Sequence, residues 1–97
     1  MINYNSIDSE LVCTFTGKLN SAECQIWKEE LILKIRQIEK PVVFDLKDVE
    51  YIASSFLRIC IHVSKSIGTE NFSLTNVPPH VKKVFKLAGF DKHLNIN

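Results

Sequence analysis

The chain has 97 residues, 45% apolar and 24% charged, which suits one domain near the lower limit of what a single core stabilises. Twelve basic residues against eleven acidic ones leave a net charge of +1, so no charge excess points to nucleic acid or an anionic membrane. No apolar run approaches the roughly 20 residues of a membrane span, and the opening MINYNSIDSE lacks the basic and apolar regions of a signal peptide, so the expected compartment is the cytoplasm.

Residues 2–7 and 10–16 read as two strands joined around Asp8-Ser9. In the second, Leu11, Cys13 and Phe15 alternate with Val12, Thr14 and Thr16, and Gly17 and Asn20 are expected to break it. Asn20 or Ser21 then caps a helix, and Asn20 with Glu23 three residues on resembles a capping box. Cys24, Trp27, Leu31, Ile35 and Ile38 form its apolar stripe, which places Trp27 in the core, and Pro41 closes the helical region. VVFDL, residues 42–46, has the β-branched, apolar character of a central strand, and KDVEY reads as the loop after it.

Ser54 and Ser55 precede a second stripe of Phe56, Ile59, Cys60, Val63 and Ile67, apolar enough for a sandwiched helix ended by Gly68. Residues 71–77 alternate as a further strand. Pro78-Pro79 open a last helix with Val81, Val84, Phe85 and Ala88 inward, and HLNI is a candidate edge strand. Without repeat or linker, residues 1–97 form a single domain. Strand and helix alternate after the first pair, predicting an α/β fold with a mixed, mostly parallel sheet of four to five strands and three to four helices. Functional surfaces of such sheets lie beyond the C-terminal ends of the parallel strands, where Ser54 and Ser55 fall.

Three segments carry a family likeness: FTGKLN at 15–20, VVFDLKDVEYIASSFLRI at 42–59 and VPPHVKKVFKLAGF at 77–90. Together with the element order they resemble a STAS domain, the fold of the bacterial anti-sigma factor antagonists. That family reads strand, D-L, a loop and D-S-S-G-L or D-S-T-G-L, and ends in P-x-V-x-x-x-F-x-x-x-G-F/L. The resemblance implies a partner that is both anti-sigma factor and serine kinase, and a phosphatase that resets the cycle. It places the phosphoserine on Ser54, with Ser55 beside it and Asp45 at the Asp or Asn position of the central strand. The implied partner surface comprises Lys18, Asn20, Ala53, Ser54, Ser55, Phe56 and Arg58. This chain departs from the pattern at Ala53 and Asn20, where relatives carry Asp, and at Phe56, where they carry Gly.

From the residues alone, Ser54 or Ser55 is expected to act as a helix N-cap, a role compatible with carrying phosphate, because a helix N-terminus attracts anions. Phe56 either packs inward or offers a partner an aromatic anchor. Catalysis is not expected: a serine nucleophile needs a nearby His, and His62 lies about 12 Å along the same helix at 1.5 Å per residue. No G-x-S-x-G turn, H-E-x-x-H or Gly-rich phosphate loop occurs. Cys13, Cys24 and Cys60 lack C-x-x-C spacing and are expected as buried thiols, so neither metal nor cofactor is implied. Lys82, Lys83, Lys86 and Lys92 read as a solvated face. The alternative to a phosphorylated switch is a constitutive STAS interaction subunit, for example of a lipid-transport complex, motivated by the altered positions 20, 53 and 56.

Overall fold

The computed structural model describes residues 2–97. Among them the order is β1 (Ile2–Ile7), β2 (Glu10–Leu19), α1 (Ser21–Ile38), β3 (Val42–Ile52), α2 (Ser54–Ile67), a short 3-10 turn (Thr69–Asn71), β4 (Phe72–Thr75), α3 (Pro79–Leu87) and β5 (Asn95–Ile96). The sheet runs β1-β2-β3-β4-β5, with β1 antiparallel to β2 and the other pairs parallel, as the alternation of elements predicts. Among the described residues no helix is long and apolar enough to cross a membrane.

Register explains which face is covered. Leu11, Val42 and Phe72 lie across from one another, as do Cys13, Phe44 and Leu74, and all six are buried. Onto this face α1 sets Cys24, Trp27, Leu31 and Ile35, while α2 adds Phe56, Ile59, Cys60 and Val63. Val81 and Phe85 of α3 join the same core. The opposite face carries the half-buried Val12, Thr14, Asp45, Ser73 and Thr75 around a buried Val43, a more polar set than the covered face. The three cysteines are free and buried, and burial pushes the Cys13 thiol up to about 12.

The strands extend further than their sequence pattern indicates. Gly17, at φ 84, does not end β2: pairing continues through Gly17, Lys18 and Leu19. KDVEY is likewise strand, not loop. Two register shifts give β3 one more residue than β2 at each place, so its buried residues after Leu46 come at steps of three, Val49 and Ile52. That spacing hides a strand from a period-2 reading. Asp45 pins the region, its Oδ1 accepting from the Lys47 amide at 3.1 Å and from Asn76 Nδ2 at 3.2 Å. At the other end of the chain Ala88, expected inward, is the exposed C-cap of α3.

The expected cap of α1 forms. Asn20 is extended (φ −81, ψ 175) and its Oδ1 accepts from the Glu23 amide at 2.9 Å. Asn20→Ala is therefore expected to lower the unfolding free energy by about 1 kcal/mol, read as a fall in urea midpoint at constant m-value.

Candidate functional site

Two parallel strands end side by side and each feeds a helix. Leu19 closes β2 before Asn20 and α1, and Ile52 closes β3 before Ala53 and α2. The Ala53 amide donates to the Leu19 carbonyl at 3.0 Å, and Ser55 Oγ donates to Ser21 Oγ at 3.1 Å. The first turns of α1 and α2 are thus held together at the C-terminal edge of the sheet, the location expected for a functional surface in this architecture.

Neither serine caps α2. Ala53 is the N-cap, extended at φ −93 and ψ 168 and unable to supply a side-chain acceptor; Ser54 and Ser55 are the first two helical residues. The cap expectation fails because the helix begins at Ser54, two residues ahead of the apolar stripe. The Phe56 amide is satisfied by the Ala53 carbonyl at 3.0 Å. The amides of Ser54 and Ser55 precede any intrahelical acceptor, so this helix end keeps its affinity for negative charge.

The serines differ in access. Ser54 is exposed, whereas Ser55 is half-buried and engaged with Ser21. Arg58 is exposed one turn further on, within i,i+4 reach of Ser54. Lys18 and Asn20 are exposed beside them, and Ala53 retains 9% of its surface. Phe56 does not belong to this surface. Its ring is fully buried, 5.2 Å from Phe15 and 6.4 Å from Trp27 between ring centroids, so the open choice resolves inward.

The aromatic group at this edge is Tyr51, half exposed and paired in register with Lys18. Its signal in the sequence is the apolar Val49 and Ile52 flanking Glu50-Tyr51, a spacing of three that a period-2 pattern does not register. Aromatic residues with a polar tip are frequent energetic anchors of protein interfaces. If the C-terminal edge receives a partner, Tyr51→Ala is expected to weaken binding by about tenfold or more, measured by calorimetric titration, with thermal stability nearly unchanged.

Between α1 and α2 runs a groove of about 280 Å³ lined by Ser21, Cys24, Gln25, Lys28, Ser55 and Arg58, among other residues. It holds two cations and two hydroxyls and no carboxylate. Burial raises the Cys24 thiol above the usual range, with Glu23 adding to the effect, and its Sγ donates to the Leu19 carbonyl at 3.8 Å. His62 lies further along α2, and His80 is held through Nε2 to the Glu50 carbonyl at 2.8 Å. Among the described residues no group of three His, Cys, Asp or Glu side chains is placed to hold a metal ion.

A one-sided mixed sheet whose parallel strands deliver two helix starts and an exposed serine at one edge defines a small α/β module. The chain belongs to the STAS domain family, whose model matches residues 1–97. It is 32% identical over 91 residues to "Putative anti-sigma factor antagonist BtrV" of Bordetella bronchiseptica, covering 92% of this chain and 78% of that protein. Its fold is that of an anti-sigma factor antagonist from Mycobacterium paratuberculosis (TM-score 0.87, 20% identity, 99% of this chain and 83% of that one). The fold is also that of SpoIIAA, a Bacillus cell fate determinant. The unphosphorylated form of SpoIIAA matches at TM-score 0.82 and 15% identity, covering 100% of this chain and 88% of that one. Its phosphorylated form matches at 0.74 and 14%, covering 100% and 91%.

Proposed function

We propose that this protein is a partner-switching regulator that binds a serine-kinase anti-sigma factor through the C-terminal edge of its sheet and is switched by phosphate on Ser54. The observation that carries this reading is the position of Ser54: exposed, first in α2, and one turn from an exposed Arg58. The name of the Bordetella relative and the two forms in which SpoIIAA was solved support it. The kinase transfers the γ-phosphoryl group of ATP to Ser54 Oγ; the new O–P bond forms as the β–γ bridge breaks, and the hydroxyl proton passes to a base of the kinase. A phosphatase returns the hydroxyl by hydrolysis. Phosphate here adds nearly two negative charges beside Arg58 and the cationic groove, inverting what the partner meets.

Incubation with the cognate kinase and ATP, followed by intact mass measurement, tests the proposal. One phosphate on the wild type and none on Ser54→Ala is the expected result. An unmodified wild type, with the kinase active on itself or another substrate, overturns the switch.

A second reading, a constitutive interaction subunit, is favoured by Ala53 and Asn20, which leave the acceptor hydroxyl without the acidic neighbours found in relatives. Under it Ser54→Ala leaves partner affinity unchanged while Arg58→Glu abolishes it. Both readings place the partner on the same surface, and they part only at Ser54.

A further inference from the structure

Two helices keep a face that none of the described residues covers, and the two faces are complementary. At 100° per residue, α1 directs Ile26, Glu29, Glu30 and Leu33 to the side opposite its buried stripe of Cys24, Trp27, Leu31 and Ile35. Ile26 is 79% exposed and Leu33 57%, seven residues apart and hence on one line, with the two carboxylates between and beside them. The three cations of α1 turn elsewhere: Lys28 lines the groove toward α2, Lys34 sits over the Tyr4 ring at 4.7 Å, and Arg36 lines a small cleft shared with His62 and Ser66 of α2. On α3 the burial of Val81 and Phe85 sends Pro79, Lys82, Lys83, Lys86 and Leu87 outward, where they line a shallow surface depression. Leu87 is 78% exposed, and α3 contains no acidic residue.

We propose that the outer face of α1 docks on the outer face of α3 of a second copy of this chain. Exposed aliphatic groups meet on both sides, and a face of net charge −2 from Glu29 and Glu30 meets one of +3 from Lys82, Lys83 and Lys86. Lengths agree as well: the seven-residue step from Ile26 to Leu33 spans about 10 Å, and α3 is about 13 Å long. The symmetric alternatives are disfavoured on charge. An α1–α1 pair brings Glu29 and Glu30 against their own copies, and an α3–α3 pair opposes two sets of lysines. Because the joined surfaces differ, the contact is heterologous, and it yields a ring or an open chain rather than a closed two-fold dimer. Its size falls at the small end of specific interfaces, so association is weak and depends on concentration and salt.

Sedimentation velocity of the full chain, from micromolar to about 1 mM, provides the test. The wild type is expected to show a weight-average sedimentation coefficient that rises with concentration at about 10 mM salt and falls back at about 1 M, where screening shortens to roughly 3 Å. Glu29→Lys/Glu30→Lys and Lys82→Glu/Lys86→Glu are each expected to stay monomeric. An equimolar mixture of the two variants is expected to associate again, since each reversed face then meets a reversed partner. Circular dichroism melts of both variants establish that these exposed substitutions leave the fold intact. A wild type monomeric throughout, variants that still self-associate, or a mixture that stays monomeric would each overturn the proposal.

Discussion

Phe56→Ala is expected to lower the unfolding free energy by about 3–5 kcal/mol, a large part of the roughly 5–15 kcal/mol that holds a domain of this size together. The ring is fully buried where α1, α2 and the sheet converge. It stands edge-on to Phe15 at 5.2 Å and to Trp27 at 6.4 Å, with Phe44 at 6.0 Å. Truncation removes those contacts and leaves a cavity that a rigid sheet and two helices close only in part. Phe56→Gly is expected to cost up to about 1 kcal/mol more than Ala, because Gly also weakens the first turn of α2. Arg58→Ala, two residues away and exposed, is expected within about 0.5 kcal/mol of wild type. Urea unfolding followed by circular dichroism measures all three. A Phe56→Ala protein as stable as the wild type would return the ring to the surface.

That expectation also marks what the sequence can and cannot disclose. The stripe Cys24–Trp27–Leu31–Ile35 has a clean helical period, so α1 and its buried face are legible without coordinates, as is the Asn20 cap with its polar side chain just ahead of the stripe. Period-2 alternation exposes the covered face of β2 in the same way. β3 is harder, because its two register shifts replace alternation with steps of three and make a strand look like a loop. Tyr51 was lost with it. The start of α2 is obscured for another reason: an alanine cap leaves no side-chain signature, and the adjacent serines resemble caps while Ala53 holds that position. Phe56 was undecidable in sequence because the first turn of a helix at the sheet edge faces both core and surface. Only the packing of α1 beside it settles the direction.

Phosphate on Ser54 is expected to weaken binding of the partner by about 100-fold or more while leaving the melting temperature within a few degrees, because like-charge opposition at an interface costs several kcal/mol whereas the helix end tolerates the anion. Ser54 is the exposed first residue of α2, whose amides and dipole favour negative charge by about 0.3–1 kcal/mol. Stability is therefore expected to hold or rise slightly. Arg58 lies one turn on, and a phosphoserine at position 54 reaches it at i,i+4. The phosphate then neutralises a cation of the groove as well as adding its own charge, so a partner complementary to Lys28 and Arg58 loses on both counts. Ser55 supplies the contrast. Its hydroxyl is half-buried and bonded to Ser21, so a phosphate there has to break that bond and force the first turns of α1 and α2 apart. Phosphoserine placed during translation at 54 or at 55 separates the cases: the first is expected to be folded and unable to bind, the second to be destabilised. Calorimetric titration against the partner and thermal melts read the two effects independently. Undiminished affinity with phosphoserine at 54 would leave the surface but remove the switch.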